Sequence, residues 1–182
     1  MIRTYPFVKA RWFREGRVKP VQLIILHSME APEKVDTAEN VARFFSKTDT
    51  PASAHFCVDE NSIIQSVDVN DTAYGAKNAN ANGLHIEHAG YAKQSRPDWL
   101  DNYGVKMFAL SARLCAELCL EYHIPVQRAE FEGVSDPTVK KPGICGHADV
   151  PLHGTHWDPG PNFPMDYYLS LVKVQFDALT TI

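Results

Sequence analysis

Several features are missing from this sequence, and each absence removes a class of function. No apolar run approaches the ~20 residues that a bilayer-spanning helix needs. The opening residues, Met1-Ile2-Arg3-Thr4-Tyr5-Pro6, lack the apolar core of a secretion signal. The expectation is a chain made in the cytoplasm without an export address of its own, or a piece of a longer chain whose address lay elsewhere. Cysteine is sparse, and Cys57, Cys115, Cys119 and Cys145 form no C-x-x-C pair. All four are expected to be buried free thiols, as suits folding in a reducing compartment. Neither a G-x-G-x-x-G nor a P-loop is present, which argues against a doubly wound dinucleotide fold. Charge of one sign is not in excess either: 18 basic and 22 acidic residues leave a net charge of −4. That balance gives no support to nucleic-acid or membrane partners. Internal repeats, low-complexity tracts and interdomain linkers are also lacking, so residues 1–182 are expected to form one domain.

What is present reads as a soluble α/β protein. Apolar residues make up 45% of the chain and charged residues 22%, ordinary values for a globular domain. Residues 21–26, Val-Gln-Leu-Ile-Ile-Leu, predict a strand buried on both faces. A short helix is expected over 37–46, with Thr37 as N-cap and Val41, Phe44 and Phe45 as its apolar stripe. Residues 54–58 and 62–67 form a hairpin about the turn Asp59-Glu60-Asn61, and the Asn/Gly-rich run 75–83 is a loop. Residues 84–89 alternate, with Leu84, Ile86 and His88 on one face and His85, Glu87 and Ala89 on the other. A long helix over 104–123 carries Phe108, Ala112, Cys115 and Cys119 inward and an Arg113–Glu117 pair outward. Residues 126–143 read as a long loop, and 165–179 as a closing helix with Tyr168, Val172, Val174 and Phe176 partly buried. The fold class is therefore α/β, a mixed central sheet flanked by helices.

Among the eight histidines, three positions combine with chemical meaning. His27 ends the first apolar run, where open α/β sheets place their sites. His147 and Asp158 lie eleven residues apart in Gly146-His147-Ala148-Asp149 and Trp157-Asp158-Pro159-Gly160-Pro161. Two imidazoles and one carboxylate bind a single Zn2+ and leave a fourth position for water, the pattern of a catalytic zinc. His123 is expected to be structural at a helix end, where a cation suits the dipole, His153 to be a solvated loop residue, and His85 and His88 to serve structure from opposite faces of one strand. His55 is expected either in the wall of the pocket or behind it, supporting the residues that line it.

Five segments occur in order: Ile25-Leu26-His27-Ser28, Ser53-Ala54-His55-Phe56, residues 83–90 (Gly-Leu-His-Ile-Glu-His-Ala-Gly), Gly146-His147-Ala148-Asp149-Val150 and Trp157-Asp158-Pro159-Gly160-Pro161. Together they resemble the type 2 N-acetylmuramoyl-L-alanine amidases, a family of phage endolysins, cytosolic anhydromuropeptide amidases and peptidoglycan-recognition proteins. The resemblance runs from about residue 20 to 175. It implies the amidase fold, a zinc held by His27, His147 and Asp158, and Glu87 as the strand-borne catalytic carboxylate at the family's I-G-I-E motif. His156 stands where the family often has Lys, and would act on the oxyanion with a charge that depends on pH. The family's A-W-H-A-G segment becomes Ala73-Tyr74-Gly75-Ala76, so a substrate-contacting His is missing. Tyr74 and Trp157, with His55, are the expected substrate contacts; Trp99 and Tyr91 are further aromatics able to stack on sugar.

The implied activity is hydrolysis of the lactyl–L-Ala amide of peptidoglycan by a monomeric catalytic domain of a phage endolysin, reaching the wall after holin-mediated release. Two rivals are a non-catalytic peptidoglycan-binding module and a cytosolic recycling amidase.

Overall fold

The computed structural model describes residues 3–133 and 138–181. Nine strands are described: β1 (Phe13–Arg14), β2 (Leu23–Ser28), β3 (Phe56–Val58), β4 (Ile63–Gln65), β5 (Thr72–Ala73), β6 (Gly83–His88), β7 (Glu130–Glu132), β8 (Thr138–Lys141) and β9 (Gly143–Gly146). Four α-helices accompany them: α1 (Thr37–Lys47), α2 (Arg96–Trp99), α3 (Asn102–Glu121) and α4 (Met165–Thr180).

The central sheet runs β4-β3-β6-β2-β9. β2 pairs parallel with both β6 and β9, β3 pairs parallel with β6, and only β4 is antiparallel. All six residues of β2 are buried, as its unbroken apolar run predicts for a central parallel strand. Burying each Leu or Ile contributes about 1.5–3 kcal/mol, which anchors the strand that delivers His27.

Period-two alternation then sorts the two faces. Ile24 and Leu26 of β2, Phe56 and Val58 of β3, Leu84 and Ile86 of β6 and Ile144 of β9 pack in one cluster with Phe108, Ala112 and Cys115 of α3 and Tyr168 and Val172 of α4. The opposite face is split. Cys57 and Ile64 pack with Ala38, Ala42 and Phe45 of α1, while Leu23, Ile25 and Cys145 pack with Ala76, Ala79 and Val150. His27, His85 and Glu87 emerge on this second face. His88 points the other way, with Nε2 2.7 Å from Ser111 Oγ, which is in turn 2.7 Å from the Tyr168 hydroxyl.

The four cysteines are buried free thiols. Other expectations are corrected. Thr37 is not the N-cap of α1; its Oγ1 donates to the carbonyl of Pro32, and Asp36 at the cap position makes no side-chain bond. The donor at Ala38 is instead satisfied by Asp59 Oδ2 at 3.0 Å. Asp59 Oδ1 closes its own hairpin turn by accepting from the backbone N–H of Asn61 and Ser62. One buried carboxylate thus serves a turn and a helix start that are distant in sequence. Asp59→Ala strands these donors and should lower unfolding free energy by about 2–4 kcal/mol. Chemical denaturation checks this, and a loss under 0.5 kcal/mol would show that the donors find other partners.

Phe44 is 56% exposed rather than packed, because Ala38, Ala42 and Phe45 form the inward stripe of α1. Val174 of α4 is likewise exposed. Glu117 does not lie on an outer face. It is buried, accepting from Arg113 Nε at 3.0 Å and also from the Tyr5 hydroxyl and the Arg3 amide. Of the loop expected over 126–143, residues 134–137 lie outside the described residues, and the rest contains the antiparallel β7–β8 pair, whose mostly exposed residues give no apolar alternation to read. Within the 91–103 segment, Ser95 and Asp98 form a capping box for α2, and Trp99 is fully buried against Phe108 and Phe163. Trp99 is therefore a core residue and not a sugar platform.

Candidate metal centre and catalytic groove

His27 reaches the site from the penultimate position of strand β2. His147 opens a 3-10 turn, His147–Asp149, directly after β9. Asp158 arrives on the following loop, which is tied back by the Ala148 N–H donating to the Asp158 carbonyl at 2.9 Å. That loop fits closely against the body: at Gly160, with φ 96°, an added Cβ would lie 1.9 Å from the carbonyl oxygen of Ala92. Only glycine allows both that backbone geometry and that approach.

Nδ1 of His27 lies 2.9 Å from Asp158 Oδ2, and Nδ1 of His147 lies 3.1 Å from Asp158 Oδ1. One donor atom from each of the three residues falls within 4.8 Å of the others. Ligands held about 2.0–2.1 Å from a tetrahedral zinc stand about 3.4 Å apart, so the widest-spaced pair closes by at most about 1.4 Å for the three side chains to hold such an ion. Protonation fits too. Burial lowers the pKa of His27, against the opposing pull of Asp158, and so favours the neutral imidazole. Burial alone would raise Asp158, but its bonds with His147 and His27 outweigh this and hold it below the usual carboxylate range. A neutral imidazole beside an ionised carboxylate is the state in which such ligands bind a cation.

Glu87 is the register partner of His27 across β2 and β6, so the two side chains leave the same face side by side. Its Oε2 is buried without a partner. Burial, then the charges of Asp158 and Glu30, push its carboxyl well above the usual range. A carboxylate that is desolvated and faces like charge is primed to hold a proton.

Glu87, Tyr74 and His156 line one 220 Å³ cavity together with His27, His147 and Asp158. A recess formed by Met29, Val41, Phe44 and Phe45 shares Ser28 and Glu87 with it. On the other side, a cleft bearing Lys77, Asn78, His153 and Thr155 shares Gly75, His147 and His156. The result is a groove with an apolar arm and a polar arm that both open into the cavity lined by His27, His147 and Asp158. His156 is exposed, stacks on His147 with ring centroids 4.4 Å apart, and holds Nδ1 3.8 Å from Asp158 Oδ1. His153, expected in solvent, is only partly exposed and has a buried Nδ1.

Two expected substrate contacts lie elsewhere. Trp157 is 52% exposed but lines a separate cleft with Arg128, Pro161 and Phe163, on the far side of the Asp158 loop. His55 is fully buried and does not border the cavity. Its Nε2 sits 2.8 Å from Arg17 Nη2 and 3.3 Å from the Asp71 carbonyl, and its Nδ1 accepts from the His85 backbone N–H at 3.0 Å. The spacing of residues along a strand could not reveal that the end of His55 faces Arg17 and not the groove.

Sequence reasoning also missed a residue behind His27. Nε2 of His27 lies 3.0 Å from Nδ1 of His85. His85 explains why residue 75 is glycine here: a Cβ at Gly75 would stand 2.6 Å from that same Nδ1. The signal available was weak, namely that His85 and Glu87 share one face of an alternating strand.

The sequence profile of the N-acetylmuramoyl-L-alanine amidase family matches residues 17–161. Among characterised proteins, N-acetylmuramoyl-L-alanine amidase A of Achromobacter lyticus is 27% identical over 159 residues, covering 82% of each chain. The fold is also that of solved structures. The hydrolase AmiA of Staphylococcus aureus, determined with its ligand, superposes with a TM-score of 0.74 at 16% identity over 100% of this chain and 87% of its own. A selenomethionine derivative of AmpD gives 0.69 at 16% identity, covering 94% and 96%. An endolysin from Bacillus subtilis gives 0.63 at 18% identity, covering 97% and 99%.

Proposed function

Because the chain belongs to the N-acetylmuramoyl-L-alanine amidase family, we propose that it hydrolyses the amide between the lactyl group of N-acetylmuramic acid and L-alanine, using one zinc held by His27, His147 and Asp158. The observation that carries this reading is the convergence of those three donors at the meeting point of the two groove arms, with Glu87 beside them.

Zinc bound there supplies Lewis acidity toward the amide carbonyl and an attacking water. The remaining work falls to the chain. Glu87 takes the water proton on its unpartnered Oε2 and returns it to the departing amine; burial, which raises its pKa, favours its holding the proton between the two transfers. His156, free to turn because it is exposed, donates a hydrogen bond to the developing oxyanion. Tyr74 forms the wall against which the substrate is oriented.

In this proposal the substrate is the polymeric wall, and the chain is the catalytic domain of a phage endolysin that reaches it after holin-mediated release. The likeness to the B. subtilis endolysin fold supports that setting. Digestion of purified sacculi followed by mass spectrometry tests it. Stem peptides with a free N-terminal L-alanine should accumulate, disappear with a chelator and return with zinc. Binding to sacculi without any new N-terminal alanine would favour the non-catalytic module. Faster turnover of soluble anhydromuropeptides than of sacculi would favour the recycling enzyme.

A further inference from the structure

We propose that His85 is a positioning residue for the metal site, which holds the ring of His27 and exchanges hydrogen-bond roles with it when a metal binds. The inference rests on the zinc reading above.

His27 uses both ring nitrogens. Nδ1 faces Asp158 Oδ2 at 2.9 Å, and Nε2 faces His85 Nδ1 at 3.0 Å. A neutral imidazole carries a hydrogen on one nitrogen and a lone pair on the other. Without metal, the carboxylate of Asp158 only accepts, so Nδ1 of His27 carries the hydrogen. Its Nε2 must then accept, and Nδ1 of His85 donates. A metal needs the lone pair of His27 Nδ1, which moves the hydrogen to Nε2. His85 Nδ1 must then accept. Among uncharged side chains, imidazole can fill either role with one atom in one place.

The proton count closes. The shared hydrogen passes from His85 Nδ1 to His27 Nε2. The proton on His27 Nδ1 leaves the site as the metal arrives, and His85 Nε2 takes one up. Nε2 of His85 is the nitrogen available for this, since it is buried with no partner.

His85 is itself held in place. Its ring stacks on His55 at 5.6 Å and 7° between planes, and its backbone N–H donates to His55 Nδ1. The glycine at 75 leaves the room that His85 Nδ1 occupies. This is the arrangement by which a hydrogen-bonded partner fixes the tautomer and orientation of a ligating His.

The test compares wild type with His85→Leu and His85→Asn. Zinc affinity is measured by competition with a chromophoric chelator, and the site of protonation of His27 by side-chain nitrogen NMR. In wild type, the His27 hydrogen should sit on Nδ1 without metal and on Nε2 with zinc. His85→Leu should melt cooperatively in chelator yet bind zinc roughly 10–100-fold more weakly. His85→Asn, whose amide can accept or donate, should recover most of that loss. Zinc binding by His85→Leu as tight as wild type, or one unchanged His27 tautomer in both states, overturns the proposal. The wild-type spectra decide it even where a variant fails to fold. Wild-type protein that binds no zinc would overturn the metal site as well, which separates the two failures.

Discussion

Replacing His27 by alanine should abolish zinc retention and amidase activity together. Only two donors would remain, and Asp158 would lose the neighbour that helps hold it ionised. The damage should exceed the roughly 10–100-fold in affinity that loss of a supporting hydrogen bond costs. The fold should survive, because His27 lies near the end of β2 and the strand is anchored by Leu23, Ile24, Ile25 and Leu26. Metal analysis after dialysis and a sacculus-clearing assay check the two losses on one sample. Wild-type activity in a metal-free variant would remove zinc from the mechanism altogether.

Glu87→Gln separates binding from chemistry. Glu87 is not among the three converging donors, so zinc content should stay at the wild-type level. Turnover should fall by roughly 10²–10⁴, the usual contribution of a positioned acid–base group, equivalent to about 3–5 kcal/mol of barrier. Stability should move the other way. The carboxylate is desolvated, lacks a partner for Oε2 and faces Asp158 and Glu30. The neutral amide removes that like-charge burden, so Tm in chelator should be equal or higher. This is the stability–activity opposition expected where a strained group serves catalysis. Unchanged turnover would dismiss Glu87 as the base; a lower Tm with lost zinc would recast it as a support of the fold.

The parts of this protein legible in sequence are those governed by local periodicity. The run ending at His27 could only be a buried strand, and 84–89 alternates clearly enough to place Glu87 on the face opposite Leu84 and Ile86. The helical repeat through Phe108, Ala112, Cys115 and Cys119 located α3 within two residues at each end. The grouping of His27, His147 and Asp158 was legible because those residue types are chemically restrictive. Where exposure replaced pattern, reading failed: the β7–β8 pair has too little burial to show an apolar period, and Phe44 looks like core on a helix whose smaller alanines do the packing.

Residue type and spacing alone determined the sheet strands and the long helix, because each depends on chemistry repeated along one stretch of chain, and singled out His27, His147 and Asp158 by their side-chain chemistry. Tertiary structure alone decided which histidines stand behind that trio, that Trp157 opens onto another cleft, and that Asp59 caps a helix twenty-one residues away. Those outcomes depend on the angle at which separate elements meet and on which side-chain atom faces which, and a linear order of residues carries neither.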